Sequence, residues 1–573
     1  MGTISDKLMR IINTKEDIRQ ALISKGYDVP TSIPFKEYAK MILDLPCKAD
    51  SFPDIEGIVA RYSASGLTNE QMAANPVWVD KTGNGHDLQL KNFSWKGMSG
   101  IGGYVADIDE WGTNSTAAYF ERNSIKITAT FKENASLGLL YHNIKLRQSC
   151  VLKVTGIPEG CDAFLDDRLG NRFYMSEDGV YEIIPSNFLA EALYLSIEKY
   201  PERWYGSKLT IEQLPLYPGA LVFDGVDDYG ICENFPILTK EKGYTVVALR
   251  QWDQDFLNTT LTGGLLSTRN YSTGEGVAFE KIESSNKGYW NLGAGGIIYF
   301  AKSPFTWQTS KQYNNVGILK GDKNHGKPLC VGCGLSGGQQ CGRFAIWEFV
   351  FLDHDATEEE LTKIKDYFVK TYPWLFPDQA WTVVGKTNED EDRATIANIT
   401  GNGNDLILSN FGFIEGSGYN EEGEYAGYLV TDGVDDKAVS KQFKFGKNFT
   451  VILDFKFPVK KISYCGFDLS SKVRIQNLQD SGVYVVLKGN RTLIPLNVVR
   501  AVTSEGKVYD ENWNEYNIVP GNISSNYTMV NLGFDGSNQF AESATKLAGI
   551  YSSILSKDEC IKAYNYLQTL KAK

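Results

Sequence analysis

Two copies of a five-residue acidic motif are the first candidates for chemistry: Asp224-Gly225-Val226-Asp227-Asp228 and Asp432-Gly433-Val434-Asp435-Asp436. Carboxylates and turn carbonyls suit a hard cation such as calcium. The same aspartates can instead fix a turn by accepting backbone N–H groups, and this is the preferred expectation. A second set is Cys330, Cys333 and Cys341 with His325, enough ligands for a tetrahedral zinc. The loop around them is rich in glycine, and incidental buried thiols are the plainer expectation. Glycan cleavage would need carboxylates alternating along one strand, so that acid and nucleophile share a face. The nearest match, Asp107-Ile108-Asp109-Glu110, has the wrong order and no apolar flank. The four histidines, His86, His142, His325 and His354, stand in no nucleophile-elbow or zinc-hydrolase context. No catalytic residue is assigned, and no enzyme is expected. Tyr289, Trp290, Trp307, Trp513 and Tyr516 could stack on sugar rings, yet each reads first as a packing aromatic. Glycan-binding residues stay unassigned.

The elements that carry these residues repeat. Residues 82–93 read TGNGHDLQLKNF, and residues 400–411 read TGNGNDLILSNF. Thr68-Asn69-Glu70 returns as Thr387-Asn388-Glu389. The Asp-Gly-Val-Asp-Asp motif follows in both copies, but the first carries roughly 110 extra residues before it, the size of a small domain. Thr-Gly-Asn-Gly predicts a tight turn into an alternating strand. Asp-Gly after an apolar strand predicts a hairpin turn, with Val226 or Val434 anchoring the next strand inward. His86 becomes Asn404 in the second copy, which points to a turn position rather than a base. Each copy ends in an apolar strand and a helix opened by a capping box, at Thr357 with Glu360 and at Ser556 with Glu559. Within the extra segment, Ile125, Ile127, Ala129 and Phe131 alternate like a strand.

Residues 4–45 differ from the rest. Ile4, Leu8, Ile11 and Ile12 have helical spacing, Thr14 can cap a second helix, and Pro34 suits the start of a third. So short a head buries little surface alone, which predicts a docking module. The expected division is a helical module over 1–46 and a linker over 47–54. A first sandwich then takes 55–103 and 217–374, an inserted sandwich 104–216, and a second sandwich 375–573. A net charge of -12 without a basic stripe disfavours nucleic acid and an anionic membrane as partners. The charged first twelve residues lack an apolar core, so no secretory signal is expected, and reduced thiols follow.

The two motif pairs (residues 224–230 with 344–368, and 432–438 with 547–567) resemble laminin-G-type, concanavalin A-like jelly rolls. That resemblance implies a mainly β fold: two such sandwiches, the first interrupted by a small β-sandwich and preceded by the helical module. It also permits calcium at the aspartate turns. The head and residues 63–104 resemble head- and tail-fibre proteins of phages of gut Bacteroidales, including the crAss-like phages. What this implies is a non-enzymatic virion surface protein (head fibre, tail fibre or capsid decoration), made in the host cytoplasm. The expected partners are other virion proteins, sister copies in a homo-oligomer, and bacterial surface glycan. The alternatives are a glycan-cleaving depolymerase of the same fold and a carbohydrate-binding module outside any virion.

Overall fold

A computed structural model of the chain describes residues 52–573 except for several internal segments, the longest at 312–327, together with Lys15 and Arg19. The helices expected over 4–45 therefore lie outside the described residues, apart from Lys15 and Arg19, which are helical. The chain divides into two compact units, Met1–Asp54 and Ile55–Lys573.

The second unit is mainly β and consists of three two-sheet sandwiches. In the first, one sheet runs in the order Gln308–Lys311, Thr245–Trp252, Arg343–Leu352, Leu221–Asp224, Gly100–Ile101. Ile58–Ser63 joins the same edge of Arg343–Leu352 that Leu221–Asp224 uses further along. The facing sheet includes Leu88–Lys91, Tyr229–Cys232, Leu329–Val331 and Gly263–Ser267 as successive neighbours. The last sandwich repeats the central order of this plan. Tyr428–Asp432 and Gln379–Thr382 share one edge of Glu542–Tyr551, with Thr450–Lys456 on the other. Its facing sheet runs Leu406–Ser409, Lys437–Val439, Val530–Leu532, Cys465–Leu469. Matching order in both sheets is what a duplicated sandwich requires.

Between Gly112 and Gln213 the extra segment forms two five-stranded sheets of its own. Ile127, Ala129 and Phe131 point into its core beside Leu152, Val154 and Trp204. Strand alternation builds this core, because one face of each sheet must bury its apolar side chains. The central strands of the two larger sandwiches are instead buried along their whole length. Their outer faces need cover, and the capped helices supply it. Glu358–Thr371 follows the first sandwich, and Lys557–Gln568 the second. Both capping boxes form as the sequence predicts. Lys557–Gln568 is wedged between the two repeats. Leu567 packs over Gly549 of its own sheet, while Tyr566 meets Trp347 of the first sandwich edge-on at 6.0 Å.

One turn departs from expectation. Leu221–Asp224 and Tyr229–Cys232 lie in opposite sheets, as do Tyr428–Asp432 and Lys437–Val439. The Asp-Gly motif is thus an arch from sheet to sheet, not a hairpin. Val226 and Val434 sit at the arch tips and are 73% and 70% exposed, so neither anchors a strand inward. An arch at the end of a sandwich points its middle residue at solvent.

Candidate functional site

The repeated motifs act as structural joints. Asp224 Oδ1 accepts the Val226 N–H at 2.7 Å, and Asp228 Oδ2 accepts the Asp224 N–H at 3.0 Å. Asp432 and Asp436 do the same at 2.8 and 2.9 Å. Asn92 donates to the Asp227 carbonyl at 3.1 Å, and Asn410 to that of Asp435 at 3.0 Å, tying the end of the first motif to the arch. Within the Thr-Gly-Asn-Gly turn, Asp87 accepts the Asp80 N–H and Asp405 accepts the Asn398 N–H, each at 2.8 Å. The His86 carbonyl accepts from the Tyr62 hydroxyl, and the Asn404 carbonyl from the Trp381 indole. What both copies need at this position is a backbone acceptor, so the imidazole can be exchanged.

The arches do bring three carboxylates together: Asp224, Asp227 and Asp228, and again Asp432, Asp435 and Asp436, with oxygens within 4.8 Å. Desolvation, with the Asp224 charge adding, pushes the Asp228 carboxyl up to about 7. Asp436 is pushed up to about 6, chiefly by desolvation. A hard cation fits such oxygens chemically. The N–H and hydroxyl donors already on Asp228, including Ser99 at 2.9 Å, suit the turn-fixing role.

The proposed zinc set is only partly described. His325 lies outside the described residues. Cys333 and Cys341 are joined as a disulfide across a two-strand hairpin, which corrects the expectation of reduced thiols at this pair. Cys330 is a buried thiol outside that disulfide, on the adjoining strand, and burial pushes it up to about 12. Asp107, Asp109 and Glu110 are also outside the described residues, as is Trp307. Trp513 is buried against Tyr509 and Tyr564, and so is a packing aromatic.

Two buried carboxylates escaped the sequence reading. Glu348 pairs with Arg61 at 2.6 Å and accepts from the hydroxyls of Tyr367 and Tyr372 at 3.2 and 2.9 Å. Asp454 pairs with Arg500 and accepts from Tyr428 and Tyr564 at 2.9 and 3.2 Å. Burial alone would raise Asp454; Arg500, Lys546 and Lys456 hold it well below the usual carboxylate range. A single Glu in the apolar run Arg343–Leu352 was the available signal.

Among the described residues, a concave surface lies where the inserted sandwich meets the second repeat. Asn512 donates to Glu177 Oε1 at 2.7 Å across this seam. On one side is a cavity of about 440 Å³ lined by Phe173, Tyr174, Tyr181, Glu177, Lys456 and Arg500. On the other is one of about 530 Å³ with Lys153, Lys557, Lys562, Pro215 and Asn565 in its walls. Strands Arg172–Met175 and Gly179–Ile183, each at the edge of its sheet, present the insert's residues. Tyr174 is 43% exposed, with Phe164 packed against its ring at 5.3 Å. No sequence motif marks this place, because it exists only once the insertion folds against residues of the second repeat, hundreds of positions away.

No family model matches the chain, and no curated protein matches it. Among solved structures it is similar to a Trypanosoma rangeli sialidase in complex with sialic acid: 9% identity, TM-score 0.26, 80% of this chain and 84% of that one. The receptor-binding domain of botulinum neurotoxin type G matches at 12% identity and TM-score 0.20, over 33% of this chain and half of that domain. Another receptor-binding domain matches at 10% identity and TM-score 0.26, over 56% of this chain and 85% of that one. At these TM-scores the likenesses bear on neither site nor activity.

Proposed function

We propose that this chain is a non-enzymatic bacteriophage surface protein, a head fibre, tail fibre or capsid decoration, that holds bacterial surface glycan. The observation that carries the glycan half is the aromatic cavity of the seam. Phe173, Tyr174 and Tyr181 stand there beside Lys456, Arg500 and Glu177. A sugar ring offers a C–H face to an aromatic ring and hydroxyls around its rim, and this lining matches both. The virion half rests on the sequence resemblance of the head and of residues 63–104. The helical module would dock to other virion proteins or sister copies, and many copies on a particle would multiply a weak single site.

The test is a printed panel of bacterial capsular polysaccharides probed with the full chain. The wild-type chain is expected to be retained by at least one of them. Tyr174→Ala should weaken that retention about tenfold, the loss of one stacking contact. Retention by none sinks the adhesion reading. For the virion half, the chain should appear in purified particles by mass spectrometry, and deletion of residues 1–46 should remove it.

A second reading has one observation behind it. Glu177 and Glu511 line the same cavity. Desolvation, opposed by Arg500, pushes the Glu511 carboxyl up, and Glu177 adds to the shift. A carboxyl that holds its proton more tightly beside a second carboxylate is an element of glycoside cleavage. Release of new reducing ends from a retained polysaccharide, abolished by Glu511→Gln, would replace adhesion with depolymerisation.

A further inference from the structure

We propose that the aromatic cavity takes a neutral, hydroxyl-rich sugar unit, and that Asp454, which touches no ligand, is the positioning residue behind this preference. The proposal rests on the glycan reading above and adds the charge class of the ligand.

The cavity wall holds two cations, Lys456 and Arg500, and two carboxylates, Glu177 and Glu511. Behind the wall stand one more charge of each sign, Asp454 and Lys546, both buried. Lys546 is among the cations that hold Asp454 ionised. Positive and negative groups are therefore matched. A sugar hydroxyl both donates and accepts, so neighbouring hydroxyls can use an ammonium or guanidinium donor and a carboxylate acceptor together. A uronic acid or sulfated unit would bring a further negative charge beside Glu177 and Glu511, with no surplus cation to meet it.

Asp454 holds both wall cations from behind. Alternation along Thr450–Lys456 sends Val451, Leu453 and Phe455 into the core and leaves Asp454 and Lys456 on the opposite face. Asp454 Oδ1 accepts from Nη1 of Arg500 and from the Tyr428 hydroxyl, the latter at 2.9 Å. Its Oδ2 accepts from the Tyr564 hydroxyl at 3.2 Å and the Gln568 amide at 3.3 Å. The Arg500 guanidinium lies over the Tyr564 ring at 4.7 Å, and the Lys456 ammonium over the Tyr428 ring at 4.8 Å. Each cation thus rests on a tyrosine whose hydroxyl ends on the same carboxylate. One buried acid fixes where both donors stand and supplies the negative charge that keeps the wall in balance.

The experiment uses the full chain and a matched pair of oligosaccharides cut from a neutral polysaccharide retained on the panel. One is left as isolated, and the other has its primary hydroxyls oxidised to carboxylates. Titration calorimetry should show the neutral form binding about tenfold tighter. Asp454→Asn keeps the side chain's shape and leaves one cation in surplus, so the neutral form should weaken severalfold while the oxidised form gains. A purely structural role would weaken both alike; an unchanged ratio in this variant overturns the assignment of Asp454. Lys456→Gln, at a half-buried position on the wall, guards against misfolding of the buried variant and should widen the ratio beyond the wild-type value. A ratio that does not widen overturns the charge balance. Retention of acidic polysaccharides alone, with Tyr174→Ala still weakening them, overturns the neutral class and leaves glycan adhesion standing.

Discussion

In the first repeat the carboxylate beneath the closing helix is Glu348, on the strand Arg343–Leu352; in the second it is Asp454, on Thr450–Lys456. These are not equivalent strands. Glu348 faces Leu249 across its ladder, and Asp454 faces Leu547 across the matching ladder. The acid and the leucine have changed places. The helix partner has moved with them, from Tyr367 to Tyr564. By contrast, the motif joints are kept residue for residue: Asn92 with Asn410, Asp87 with Asp405, Asn69 with Asn388. A joint fixes backbone geometry and accepts few substitutes. A buried acceptor beneath a helix can come from either of two neighbouring strands, provided a cation and hydroxyls reach it.

The sharpest way to break this comparison is to remove each acid. Glu348→Ala breaks the buried ion pair with Arg61, and Asp454→Ala breaks that with Arg500. Each should cost about 3–5 kcal/mol, the usual loss on breaking a buried ion pair from one side. Amide exchange, read separately in the two closing helices, should locate each loss in its own repeat. A loss below about 1 kcal/mol in either would show that the network is incidental to holding the helix.

The arches give a smaller contrast, and one that depends on pH. Asp228 is raised to about 7 and Asp436 to about 6, against about 3.9 in an unfolded chain. The native state therefore binds more protons than the unfolded state above pH 4. Stability from these groups is present below the unfolded value and is lost as pH rises, up to about 7 for Asp228 and about 6 for Asp436. The fall should reach at most about 4 kcal/mol from Asp228, with a smaller share from Asp436, and Asp228→Asn should flatten the upper part of it. On the turn-fixing reading, millimolar calcium leaves the profile alone. A calcium-dependent gain confined to neutral pH, lost in Asp228→Asn, would assign a cation to the arch.

Much of the fold was legible in the sequence because its signals are local. Alternation at Ile127, Ala129 and Phe131, the two capping boxes, and the recurring turn motifs each act within a dozen residues. The hairpin expectation at Asp-Gly failed because sequence shows that a turn occurs there but not which sheet the next strand joins. The candidate site was illegible for a related reason. Tyr174 and Arg500, or Lys153 and Asn565, carry no shared pattern, and only the packing of the insertion on the second repeat brings them into one seam. Glu348 could have been suspected, since a lone acid in an apolar strand must find a partner. Arg61 as that partner required the sheet order.

The smallest expected effect lies at the start of the closing helices. In both repeats a threonine at the start of the strand beside the central one bridges the approach to the helix. Thr245 donates to the His354 carbonyl at 3.0 Å and accepts from Ala356; Thr450 donates to the Ser553 carbonyl at 2.9 Å and accepts from Leu555. The two sites differ in that only the first carries a histidine. His354 contacts Asp353 and Glu360, each at 3.2 Å, and Glu360 is the capping-box acid. Desolvation would lower the imidazole, but the hydrogen bonds to the two carboxylates outweigh it, and the net shift is upward. A raised histidine contributes stability that is present below about 6.5 and is lost as pH rises through its native value. The group is partly exposed, so the contribution should stay under about 1 kcal/mol. Amide exchange in the first turn of Glu358–Thr371 should therefore quicken between mildly acidic and alkaline pH, beyond the chemical trend, while Lys557–Gln568 shows no such excess. His354→Ala should abolish the difference between the helices. If the difference persists in that variant, the capping boxes differ for a reason other than the imidazole.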